Sequence, residues 1–127
     1  MRGQNVARIL IIDDNENFLR SLSIMLEEEG HAVETAHDSD SGIKKHHQNP
    51  FDIIITDIVM PGKEGISTII ELKHENPKLK IIAVSGGGNY EPYGYLDIAK
   101  RVGAHRTLSK PFTREEIVDA VNDCIAG

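Results

Sequence analysis

Three short stretches of the chain are almost wholly apolar: Arg8–Ile12 (Arg-Ile-Leu-Ile-Ile), residues 51–55 (Phe-Asp-Ile-Ile-Ile) and residues 80–84 (Lys-Ile-Ile-Ala-Val). Their Ile, Leu and Val residues follow one another without polar alternation. That is the pattern of strands buried on both faces, as in a parallel sheet covered by helices. An antiparallel sheet with one wet face would alternate instead. Residues 31–36 and Arg106–Ser109 are weaker and more alternating, as edge strands tend to be.

The segments between these strands have helical period. In residues 16–29, Phe18, Leu19, Leu22, Met25 and Leu26 recur at steps of three and four, with Gly30 placed to cap the end. Residues 39–47 and 65–75 read the same way, the latter through Ile66, Ile69, Ile70 and Leu72 and stopped by Pro77. A shorter helix over 93–102 closes at Gly103. Thr113, with Glu116 three residues on, forms a capping box that opens a last helix burying Ile117, Val118, Val121 and Ile125. Five strands alternating with five helices predict a doubly wound α/β sandwich with right-handed crossovers. For five strands the flavodoxin-like order 2-1-3-4-5 is the common solution.

The chain of 127 residues is the size of one domain, and the reading is a single domain over 1–127 with its core at 7–125. A net charge of -6 with no basic run argues against nucleic acid or an anionic membrane surface as partner. Aliphatic runs such as Ile9 to Ile12 and Ile53 to Ile55 fall far short of the ~20 residues that span a bilayer. Residues 1–8 hold no apolar stretch that could serve as an export signal. The one cysteine, Cys124, cannot form an internal disulfide, which fits the cytoplasm, and its place on the last helix suits core filling.

In sheets of this kind the chemistry lies at the carboxyl ends of the strands. The first strand ends in Asp13-Asp14, the third in Asp57, the fourth in Ser85 followed by three glycines, and the fifth in Lys110-Pro111. Three carboxylates, a hydroxyl and an ammonium are thus expected on one sheet edge. Two like charges at 4 Å cost about 4 kcal/mol at an effective dielectric of 20, so a divalent cation, a proton or the lysine must offset them. All-oxygen ligation by few protein groups suits Mg²⁺, which keeps several waters and favours sites where it also meets a phosphate. The chemistry this points to is phosphoryl transfer, with a carboxylate as nucleophile.

These residues resemble the response-regulator receiver domain of bacterial two-component systems. The matching features are the Asp13-Asp14 pair after a buried strand and the run Asp57-Ile-Val-Met-Pro-Gly-Lys-Glu-Gly65, of the form D-x-x-M-P-x-x-x-G. Ser85 at a strand end and Lys110-Pro111-Phe112 before a capped helix complete the set, and the likeness covers residues 7 to 125. The resemblance implies that Asp57 is the phospho-acceptor and that Asp14, Asp57 and the Val59 carbonyl bind Mg²⁺, or Mn²⁺ in its place, with Asp13 acting largely through water. It implies that Lys110 contacts the phosphoryl oxygens, that the Lys110-Pro111 bond is cis, and that Ser85 moves toward the phosphoryl group. Receivers usually carry an aromatic switch residue three positions before the lysine, where this chain has Thr107.

The function implied is a stand-alone, chemotaxis-regulator-like receiver in a two-component system or phosphorelay, accepting a phosphoryl group from a histidine kinase or phosphotransfer protein. It would signal to a protein target through the face of helix 4, strand 5 and helix 5, with no output domain, no nucleic acid and no membrane. It would not be an enzyme beyond catalysing its own phosphorylation and dephosphorylation. Two rivals share the fold or the chemistry. A flavodoxin-like carrier of flavin would want Gly, Ser and Thr where the loop after the first strand is acidic. An aspartyl-phosphate phosphatase would turn over phosphate esters repeatedly.

The histidines offer no obvious metal site. Adjacent residues on a helix point about 100° apart, so His46 and His47 cannot easily chelate together. With His31, His37, His74 and His105 they are expected at the surface. Tyr90, Tyr93 and Tyr95 cluster around the start of helix 4, where packing and partner contact are both open.

Overall fold

A computed structural model describes residues 6–58, 65–86 and 95–127. The element order is β1 (Arg8–Ile12), α1 (Glu16–Glu28), β2 (Ala32–Ala36), α2 (Ser39–Gln48), β3 (Ile53–Asp57), α3 (Gly65–Glu75), β4 (Lys80–Ser85), α4 (Tyr95–Arg101), β5 (Arg106–Ser109) and α5 (Arg114–Ala126). All strand pairs are parallel, and the sheet order is β2-β1-β3-β4-β5. The flavodoxin-like order expected from the sequence is the one observed. No helix among the described residues is long and apolar enough to cross a membrane.

Because side chains alternate along a strand, each central strand serves two cores. Ile9, Ile11, Ile53, Ile55, Ile82, Val84 and Leu108 pack with Leu19, Leu22 and Leu26 of α1 and with Ile117, Val121 and Cys124 of α5. Leu10, Ile12, Ile54, Ile81 and Ala83 face the other way, onto Ile43 of α2, Ile69 and Leu72 of α3 and Ala99 of α4. Burial pushes the Cys124 thiol up to about 11, so it is an inert core group, as its position suggested.

The helix ends follow the sequence signals. Asn15, Asp38 and Thr113 accept from backbone N–H groups of the first turns of α1, α2 and α5, and both halves of the Thr113–Glu116 capping box form. Gly30 takes a φ of 98° just past α1, a conformation costly for any residue with a Cβ.

Two expectations need correction. The third strand does not start at Phe51. Its N–H donates to His46 Nδ1 (3.1 Å) instead of to a neighbouring strand, so the ladder opens at Ile53 and runs on to Asp57. His46 and His31 are not at the surface but buried, at 6% and 7% exposure. His31 Nδ1 accepts from Ala7 N–H (3.1 Å), and each imidazole satisfies a backbone donor at the amino-terminal edge of the sheet. The described part of helix 4 is Tyr95–Arg101, and Tyr90, Tyr93 and the expected start of that helix lie outside the described residues.

Candidate functional site

The carboxyl edge of the sheet is built by strand alternation continued past the strand ends. Ile11, Ile55 and Leu108 face α1 and α5, and two residues beyond each stand Asp13, Asp57 and Lys110. Equal spacing along β1, β3 and β5 therefore sends an acid, an acid and a base to the same side. The backbone ladder also extends past the last residues: Ile58 N–H donates to Val84 O (2.9 Å) and Lys110 N–H to Ser85 O (2.9 Å). These bonds fix the loop bases that carry Asp57 and Lys110.

Asp13 and Asp57 are buried, at 1% and 5% exposure. Lys110 Nζ lies 2.7 Å from Asp13 Oδ2 and 3.4 Å from Asp57 Oδ2, bridging two carboxylates with one ammonium. Asp13 Oδ1 accepts in addition from Asn15 N–H (2.8 Å). Asp14, next in sequence, is exposed at the same edge. Ser85 is fully buried as the last residue of β4, and its partner across the sheet is Ser109 of β5. The Lys110-Pro111 peptide is cis, as the resemblance implied.

The structure thus brings Asp13, Asp57 and Lys110 into direct contact and places Asp14 and Ser85 at the same edge of the sheet. Thr107 sits half-buried on β5 opposite Ala83. Val59 and Gly87, with the rest of 59–64 and 87–94, lie outside the described residues. Gly65, which closes the D-x-x-M-P-x-x-x-G run, has a clear steric reason. A Cβ there would lie 2.3 Å from Ile58 Cα and 2.6 Å from Asp57 O, so only glycine lets α3 start against the backbone of the acidic residue.

Two further residues belong to the site. Asn15 joins the Asp13 carboxylate to the start of α1, since its Oδ1 accepts from Phe18 N–H (3.0 Å). The Phe18 ring lies under Lys110, 3.9 Å from Nζ to centroid. The sequence marked Phe18 only as a member of the apolar stripe of α1, and Asn15 carried an N-cap signal.

The donor set fits a hard divalent cation. It is all oxygen, and among the described residues three carboxylates stand against one ammonium. Among the described residues no three Asp, Glu, His or Cys side chains form a ready cage. An ion that keeps most of its waters suits such a set better than one that needs a closed protein shell.

The sequence profile of the response regulator receiver domain family matches residues 9–122, and the chain belongs to that family. Fold and site together are those of a receiver domain of two-component signalling systems. Among similar proteins, PilH of Pseudomonas aeruginosa is 32% identical over 124 residues, covering 96% of this chain and 100% of PilH. The chemotaxis protein CheY of Halobacterium salinarum is 28% identical over 118 residues, covering 93% and 96%. A response regulator receiver domain protein from Clostridium thermocellum superposes with a TM-score of 0.86 at 32% identity, with 94% of each chain covered. The beryllofluoride-activated NtrC4 receiver domain dimer gives a TM-score of 0.86 at 30% identity, covering 94% of this chain and 96% of that one.

Proposed function

We propose that Asp57 is the phospho-acceptor and that the donor is the phosphohistidine of a histidine kinase or phosphotransfer protein. The observation that carries this reading is the Lys110 ammonium shared by two buried carboxylates, 2.7 Å from Asp13 and 3.4 Å from Asp57. A buried pair of acids sharing an ammonium receives an anionic group more readily when further positive charge arrives with it.

An Asp57 carboxylate oxygen forms the new bond to phosphorus as the phosphorus–nitrogen bond of the donor breaks. The electron pair of the broken bond stays on the imidazole nitrogen. Lys110 donates hydrogen bonds to the phosphoryl oxygens, and its tie to Asp13 keeps it from swinging into solvent. The Ser85 hydroxyl supplies a further donor from the neighbouring strand end. Asp14, Asp57 and the Val59 carbonyl would hold Mg²⁺, with Asp13 behind its waters. When bound, the metal offsets charge on the transferring phosphoryl group.

Output follows through the face of α4, β5 and α5 toward a protein target. With Thr107 in place of an aromatic, the switch rests on Ser85 and the segment after it. The chain has no turnover of external substrates in this reading, only the gain and loss of its own phosphoryl group.

The test is mass spectrometry after incubation with acetyl phosphate and Mg²⁺. One phosphoryl group should be added, and Asp57→Asn or EDTA should abolish the addition. Full labelling of Asp57→Asn would overturn the assignment, and repeated hydrolysis of phosphate esters would favour the phosphatase reading.

A further inference from the structure

We propose that Phe18 is a positioning residue for Lys110, its ring face serving as a third, uncharged partner that holds the ammonium within reach of both buried carboxylates. The inference rests on the reading of Asp57 as acceptor and deepens it by naming a group that prepares Lys110.

Lys110 has a long stem with several rotatable bonds, and its two ionic contacts are unequal, 2.7 Å to Asp13 and 3.4 Å to Asp57. Ion pairing alone would favour the closer acid. The Phe18 ring supplies the missing constraint, because Nζ stands 3.9 Å from its centroid, well inside the ~6 Å reach of a cation–π contact. The side chain of Lys110 is only 20% exposed, so water weakens this attraction less than at an open surface.

The ring is itself held on two sides. Phe112 meets it edge to face, with centroids 5.9 Å apart and planes at 84°, so the turn that delivers Lys110 also supplies the buttress for its aromatic floor. On the other side Asn15 accepts from Phe18 N–H and donates its own N–H to Asp13. One residue thereby sets the ring and the nearer carboxylate at a fixed separation. The ammonium carries three N–H donors, which the oxygens of Asp13, Asp57 and an arriving phosphoryl group can accept. A leucine at this position would fill similar space with no quadrupole to attract the cation.

The experiment compares the full chain with Phe18→Leu, Phe18→Tyr and Asp57→Asn, using acetyl phosphate with Mg²⁺ as the probe. In Phe18→Leu the maximal rate of labelling should fall about three- to tenfold, while the acetyl phosphate concentration giving half that rate stays the same. Phe18→Tyr keeps the π face and should restore the rate. In the NMR spectrum of the unaltered protein the Lys110 Hε protons should be shifted upfield by the ring. They should move toward ordinary lysine positions in Phe18→Leu. That reading on the unaltered protein decides the matter even if Phe18→Leu folds poorly, since unshifted Hε signals overturn the proposal. Labelling of Phe18→Leu at the original rate also overturns it. Loss of labelling in Asp57→Asn beside an unaffected Phe18→Leu would sink this inference alone. Labelling that survives in Asp57→Asn would instead sink the acceptor assignment, and this inference with it.

Discussion

The two edges of the sheet both bury polar side chains, but they satisfy them in opposite ways. At the amino-terminal edge, His31 and His46 each accept a backbone N–H from Ala7 and Phe51, and Arg8 reaches the carbonyls of Asn49 and Pro50 while lying over the Phe51 ring. Most of these partners are main-chain groups that would otherwise need water, so this edge closes the fold. At the carboxyl edge, Asp13, Asp57 and Lys110 face one another, two carboxylates to one ammonium among the described residues. The first arrangement adds stability and does no chemistry. The second gathers like charges that an incoming cation can offset, which is the usual cost of a reactive site.

If this contrast is right, substitutions at the two edges should move stability in opposite directions. The largest effect is expected at the amino-terminal edge. His46→Leu keeps much of the volume stacked on Phe51 but strands the buried Phe51 N–H, and should lower unfolding stability in urea by about 2 kcal/mol. An unchanged urea midpoint would break the comparison. Asp57→Asn should act the other way. It removes one of two buried like charges while leaving the closer Lys110–Asp13 pair intact, so stability should rise by about 1 kcal/mol as labelling is lost.

The smallest effect is a pH dependence. Burial holds both His31 and His46 below the usual imidazole range. For His46 the neighbouring His47 acts in the same direction and Glu75 opposes it, and for His31 Glu29 opposes it. An imidazole titrates near ~6.5 in the unfolded chain, so as pH falls the unfolded state takes up the proton first. Their contribution is therefore complete above that value and is lost as pH falls below it. Urea midpoints measured between about pH 7 and pH 5 should slope less steeply in His46→Leu, and identical slopes would show that these imidazoles stay outside the acid response.

The sheet, the helix order and most of the site were legible because each rests on a local pattern. Buried runs of Ile and Val announce central parallel strands, and ionic residues directly after such runs have only one place to go. The burial of His46 has a sequence signal too. Ser39, Gly42, Ile43 and His46 recur at three and four residue steps and form the buried stripe of α2. The role of Phe18 was not legible. Its spacing says only that it faces inward, and its nearness to Lys110 arises from two elements brought together by the sheet. The start of β3 was misplaced for a similar reason, since the residue that takes the Phe51 N–H belongs to another helix.

The equal spacing of Asp13, Asp57 and Lys110 beyond their inward-facing neighbours bears on what sequence change the site can tolerate. A single inserted or deleted residue within β1, β3 or β5 would carry that strand's ionic group to the opposite side of the sheet, into the apolar layer under α2, α3 and α4. A paired change of two residues would preserve the side and alter only the reach. Lengthening or shortening in this chain is thus better borne in the loops, and the residue count of three short strands constrains the site as strictly as its acids and its lysine do.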